Sequence, residues 1–179
     1  MIDFNSLIGL GKPEVSFNLK KLYRELDVKG MHTEPRPVQR EALEVLTQRH
    51  DERDLILKVS TGAGKTTIGL LYLYGFLRTE QEPVAYICTT IQLVEQVIAE
   101  AQCLGIPTRA YLGGATYPPA ECVRGEAILV CTYDKLFNAK STFHRTDVNL
   151  TLNAIVFDDA HAGVENIRKQ FTLNYRRNS

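Results

Sequence analysis

The chain has 179 residues, 44% hydrophobic and 23% charged, with a formal net charge of zero. This is the balance of an ordinary soluble globular protein with room for one real core. It excludes binding of nucleic acid through bulk positive charge, and leaves backbone amides and helix N-termini as the means of holding a phosphate.

In chain order, NLKKLYREL places Leu19, Leu22, Tyr23 and Leu26 at helical spacing, which predicts a short amphipathic helix. Pro35 and Pro37 then punctuate the start of a second helix, whose expected apolar face is Val38, Ala42, Val45 and Leu46. DLILKVS reads as a β run, and TGAGKT as a glycine-rich turn behind it. The following TIGLLYLYGFLR is apolar nearly all round, the mark of a buried helix, with Ile68, Leu71 and Leu73 in the core. The alternation then repeats. VAYICT is a strand. IQLVEQVIAEAQCLG is a helix with Leu93, Val94, Val97, Ile98 and Ala101 inward and Gly105 as its C-cap. TRAYLGG is a short strand and turn, and EAILVCT a strand followed by a short helix from Tyr133 to about Asn138. LNAIVF is the last clear strand. Near-continuous apolar strands alternating with helices predict an α/β fold, a parallel sheet with helices on both faces in three layers.

The four cysteines, Cys88, Cys103, Cys122 and Cys131, have no C-x-x-C spacing, and the four histidines are dispersed. Neither a zinc site nor a disulfide framework is suggested, so a reduced, cytoplasmic chain is the simpler expectation. MIDFNSLIGLGK lacks the basic and apolar regions of a signal peptide. The longest apolar run is about half the length that crosses a bilayer, so no membrane association is expected.

Two stretches carry chemistry. In the first, Thr61, Gly62, Ala63, Gly64, Lys65, Thr66 and Thr67 lie between a β run and a buried helix, which is the context of a P-loop. Glycines let backbone N–H groups face phosphates, and the helix N-terminus adds positive potential. Lys65 would supply a point charge to the β- and γ-phosphates, and the Thr66 hydroxyl a ligand for Mg²⁺. The strict pattern wants glycine where Val59 stands; the looser S-T-G-x-G-K-T fits fully. In the second stretch, IVFDDAH, two acids end an apolar strand. A P-loop needs such an acid at a neighbouring strand tip to hold Mg²⁺, the role expected of Asp158. Asp159 would then orient and deprotonate the attacking water. Parallel strands put both stretches on one edge of the sheet.

STGAGKT followed by FDDAH resembles motifs I and II of superfamily 2 helicases, the DEAD/DEAH-box group. PRPVQREAL resembles the Q motif region, TTIQLVEQ motif Ia, Gly113-Gly114 the glycine pair after it, and TYDKL motif Ib. The resemblance runs from about Pro35 to His161, and it is the order of all six segments that makes it specific. It implies a RecA-like P-loop NTPase fold, ATP and Mg²⁺ as cofactors, and Gln39 reading adenine. It implies a single- or double-stranded nucleic acid, DNA or RNA, held by Thr90, Gln92, Gly113, Gly114 and Thr132. His161 would couple the site to a second lobe. The plainer role for Thr90 and Thr132 is helix N-capping, which is compatible with phosphate contact.

The sequence also departs from the family. Thr89 and Tyr133 replace prolines of motifs Ia and Ib, and Arg36 stands where DEAD-box RNA helicases carry Thr or Ser. Asp159 stands for the motif II glutamate, roughly 1.5 Å shorter in reach. A misplacement of about 1 Å costs on the order of 100-fold in rate, so hydrolysis is slow unless the backbone compensates. Motif III is missing, and FTLNY, Phe171 to Tyr175, is the one alternating segment after motif II. The expected organisation is an N-terminal helical extension over 1–34 and a first RecA-like ATP-binding lobe over 35–179, truncated after motif II. This organisation leaves the second RecA-like lobe outside the chain, so the isolated chain is expected to be weak or inactive in hydrolysis. Two other readings stand beside this one. One is a self-contained P-loop NTPase that acts as a switch or assembly subunit; the other is a non-catalytic, nucleotide-responsive binding module.

Overall fold

The computed structural model describes residues 16–26, 34–60, 62–137 and 150–170. Two helices come first, α1 (Leu19–Glu25) and α2 (Pro37–Gln48), then α3 (Lys65–Thr79). After them β1 (Val84–Cys88), α4 (Ile91–Leu104), β2 (Thr108–Tyr111), α5 (Ala120–Val123), β3 (Ile128–Thr132), α6 (Tyr133–Phe137), β4 (Ala154–Phe157) and α7 (Ala160–Gln170) follow in order. The four strands form one parallel sheet in the order β2-β3-β1-β4.

Helices cover both faces, because residues alternate faces along each strand. Val84, Tyr86, Cys88, Ile128 and Val130 face one cluster, which holds Leu70, Leu71 and Leu73 of α3 and Val94, Val97 and Leu104 of α4. Ala85, Ile87, Leu129 and Cys131 face the other, against Cys122 of α5 and Tyr133 and Leu136 of α6. This is the expected three-layer α/β arrangement. Thr90 caps α4, its hydroxyl accepting from the Leu93 N–H at 3.2 Å, and Gly105 closes that helix in the left-handed region.

Helix α1 packs into the first cluster through Leu19, Leu22 and Tyr23. Its N-cap is Asn18, which accepts from the Lys21 N–H at 3.0 Å, and the Leu19 N–H donates to the Thr47 hydroxyl of α2. Phe17 stacks on His50 at 4.4 Å between ring centres.

Three expectations fail. Residues 54–60 form no strand, and Ile56 is 98% exposed. Strand β4 is not buried like the other strands; among the described residues it pairs with β1 only, and Ile155 and Phe157 are 37% and 43% exposed. Helix α2 turns a different face inward, burying Gln39, Ala42, Leu43 and Leu46 and exposing Val38 and Val45. The FTLNY segment lies outside the described residues.

Candidate nucleotide cleft and nucleic-acid edge

The glycine-rich turn and the start of α3 build one wall of a cleft of about 540 Å³, within the range of small-molecule sites. Gly62 and Gly64 both have φ near +80°, and Gly64 caps α3 with no side-chain bond to its first turn. The opening N–H groups of α3 are therefore left for an anion. A Cβ at Gly64 would also run into the Gln39 amide and displace it from its present position. Lys65, Thr66 and Thr67 follow it along the wall of the cleft. Thr67 is buried and donates to the Glu100 carboxylate of α4, and Thr66 shares a hydrogen bond with Tyr86. Thr61 lies outside the described residues.

Gln39 closes another wall. Its Oε1 accepts from the Arg36 N–H at 3.0 Å. That bond fixes the amide orientation and turns the Nε2 donors toward Gly64 and the cleft. The Arg36 guanidinium donates to the Gly62 carbonyl at 3.2 Å, which ties this wall to the turn.

The two acids part company. Asp158 is half-buried and lines the cleft, while Asp159 is exposed and is not among its lining residues. Burial, then the Asp159 charge, push the Asp158 carboxyl above the usual range, and Lys65 pulls it back. Asp159 has φ of 49°, and its Oδ1 accepts from the Ala162 N–H at 3.2 Å, capping α7. His161 is exposed in the first turn of that helix, also away from the cleft lining. Open first-turn N–H groups, Lys65 and the half-buried Asp158 carboxylate suit a nucleotide phosphate with its Mg²⁺. Lys65 and the turn would hold the phosphates, and Thr66 and Asp158 the ion.

The expected nucleic-acid residues follow the C-terminal ends of parallel strands, on the same edge as Asp158. Thr90 and Gln92 come after β1, Gly113 and Gly114 after β2, and Thr132 ends β3. All are exposed except Thr132, which is half-buried. The Thr132 hydroxyl accepts from the Lys135 N–H at 3.3 Å. Lys135 Nζ donates to the Ala115 carbonyl at 2.7 Å and sits 4.1 Å from the Tyr111 ring centre, pinning the glycine turn against α6.

Residues 32–177 match the family described as "Type III restriction enzyme, res subunit". The chain belongs to this family. Its fold is the RecA-like lobe of a superfamily 2 helicase, and it is similar to the structure of the RNA-helicase Prp28 from Chaetomium thermophilum bound to ADP. That likeness has a TM-score of 0.55 at 25% identity and covers 79% of this chain. The chain spans 38% of the length of the Prp28 chain. No curated protein matches it.

In this ResIII-family lobe the cleft has three lining residues that the motifs did not point to: Tyr23, Glu100 and Cys103. Tyr23 arrives because α1 packs on α2 and α3, a tertiary contact with no local signature. Glu100 and Cys103 lie one helical turn apart on α4. The other three cysteines are buried, with Cys88, Cys122 and Cys131 each pushed up to about 12 by burial, so they stay protonated and unreactive. Among the described residues, no helix is long and apolar enough to cross a membrane.

Proposed function

We propose that the chain is the ATP-binding lobe of a nucleic-acid-dependent ATPase or helicase of DEAD/DEAH type. It holds Mg·ATP in the cleft and a nucleic-acid backbone along the neighbouring sheet edge. The observation that carries this reading is the meeting of the Gly62–Thr67 turn with Asp158 in one cleft, lined also by Gln39. Lys65 neutralises the β- and γ-phosphates, Thr66 and Asp158 take the ion, and the Gln39 donors face the base. When bound, Mg²⁺ supplies charge neutralisation at the phosphates being separated. Thr90 and Thr132 offer hydroxyls, Gln92 a side-chain amide, and Gly113 and Gly114 open backbone to phosphates, which gives grip without sequence choice.

Among the described residues, Arg36 is the only arginine lining the cleft, and it is tied to the Gly62 carbonyl. Efficient hydrolysis in this reading needs a further arginine, supplied by a second RecA-like lobe, and Asp159 turned from its capping position toward the attacking water. Loss of an arginine finger costs about 10³ to 10⁵ in rate. One observation favours a second reading, a nucleotide-responsive module that does not hydrolyse: the Asp159 carboxylate already caps α7.

The test is binding and turnover of ATP by this chain, with and without single-stranded DNA and RNA, beside Lys65→Ala. Loss of one charge-assisted contact predicts weaker ATP binding by about 10- to 100-fold. Slow turnover that nucleic acid accelerates supports the helicase-type reading. Turnover absent under all conditions, with Mg·ATP binding intact, supports the module. Unchanged binding in the Lys65→Ala variant would sink both.

A further inference from the structure

Tyr133 stands at the motif Ib position where the resembling family carries proline, and its side chain does what a proline cannot. The ring is buried at the start of α6, and its hydroxyl donates to the main-chain carbonyl of Asp158 at 3.0 Å. The Asp158 N–H donates to the Ile87 carbonyl at 2.9 Å, so the peptide groups on both sides of its Cα are held. One bond comes from β1 and the other from α6. The ring stacks on Phe157, the residue before Asp158, at 5.7 Å and 27°. On the far side, Gly163 of α7 comes so close that a Cβ would run into the tyrosine ring. Burial first, then the charges of Asp158 and Asp159, push the phenol up to about 12, so it remains a proton donor at neutral pH.

The same short helix gathers the nucleic-acid edge. Thr132 caps it, and Lys135 binds the Ala115 carbonyl next to the glycine turn. A continuous set of contacts therefore runs from Gly113–Gly114 through Lys135 and α6 to Tyr133 and the Asp158 main chain. Strand β4 has only β1 beside it among the described residues, which makes the tyrosine bond a large share of what fixes Asp158.

We propose that Tyr133 is a positioning residue that couples the two ligands, passing displacement of α6 by a nucleic-acid backbone to the Mg²⁺-facing Asp158 through its hydroxyl. This rests on the proposed function and deepens it. Coupling between two sites is reciprocal, so it can be read from binding alone, without turnover. A merely structural tyrosine would change stability and leave the coupling intact.

The experiment uses the full chain and fluorescein-labelled single-stranded 20-mers of RNA and DNA. Their affinity is measured with and without Mg²⁺ and a non-hydrolysable ATP analogue, for wild type, Tyr133→Phe and the packing control Phe137→Leu. Wild type is expected to shift its affinity by about 5-fold or more when the nucleotide is added. Tyr133→Phe keeps its nucleotide-free affinity for the 20-mers within about twofold, and its shift collapses below about twofold. Phe137→Leu keeps the full shift. A full shift in Tyr133→Phe, or its loss in Phe137→Leu as well, overturns the proposal. So does a wild type that binds both ligands with no mutual effect. A wild type that binds neither overturns the proposed function itself, and this inference with it.

Discussion

The two sides of the sheet have similar apolar composition and different fates. On one side, β1 and β3 run as VAYIC and ILVCT between neighbours, and every β1 side chain is buried. On the other, AIVF alternates half-buried with exposed, and LILKV beside the phosphate turn pairs with nothing among the described residues. β propensity is a measure of fit to a paired, half-buried surface rather than a backbone preference. Without a partner strand among the described residues, 54–60 join no sheet there. The turn that follows is held instead from its C-terminal side by α3, one of the most buried helices of the molecule. The candidate nucleotide cleft thus lies at the seam between a paired half of the sheet and a half that is open among the described residues.

Hydrogen exchange is the sharpest way to break that contrast. Amides of Tyr86 and Ile87 are expected to exchange only with global opening, at a cost of about 5 kcal/mol or more. Those of Leu55 to Val59 are expected near the unfolded rate, a difference on the order of 10³-fold. Equal protection would mean that 54–60 is paired in solution and that the seam does not exist.

A matched pair of truncations comes next in size. Ile87 in β1 is 0% exposed and Ile155 in the adjacent β4 is 37% exposed. Ile87→Ala should cost about 2–5 kcal/mol by urea denaturation. Ile155→Ala should cost under about 1.5 kcal/mol, because much of its side chain never leaves water. Similar losses would show that the outer face of β4 is covered in solution, by self-association or by another part of the chain.

The seam is also where the sequence ceases to predict. Local signals were legible wherever one residue type has one mechanism. The glycines of the turn, the Thr90 cap and the Gly105 stop all stand where spacing and chemistry put them. The parallel sheet and its two covered faces followed from apolar runs alone. What failed depended on partners that a sequence window does not show. The DLILKVS run has strand-like residues and no neighbouring strand among the described residues. Helix α2 was given an apolar face containing Val38 and Val45, yet it buries Gln39, because the Arg36 N–H satisfies the amide oxygen. Tyr23 reaches the cleft only because α1 docks on α2 and α3. The motif leads one to expect Asp159 at the nucleotide; its left-handed backbone and its bond to the Ala162 N–H belong to the start of α7, a geometry that one extra acid in a motif does not announce.

The smallest effect concerns Asp158, on the open side of the seam. Its carboxyl is raised by burial and by Asp159, so the folded chain holds that proton more tightly than the unfolded chain does. Over the range between the unfolded value, about 3.9, and the higher folded value, the folded state binds more protons. Stability therefore falls as pH rises through that range, and the deficit is complete above the folded value. Asp158→Asn removes the charge, so it should raise Tm at pH 7 by at most about 2 °C. The gain should shrink as pH is lowered toward 4, where the wild-type carboxyl is itself becoming neutral. The same variant should lose Mg²⁺-dependent nucleotide affinity. A Tm gain that persists unchanged at low pH would point to packing rather than charge. A loss of stability at pH 7 would mean that the Lys65 attraction outweighs burial. In the proposed function, the ion held by Thr66 and Asp158 would offset the cost of keeping that carboxylate charged in the cleft.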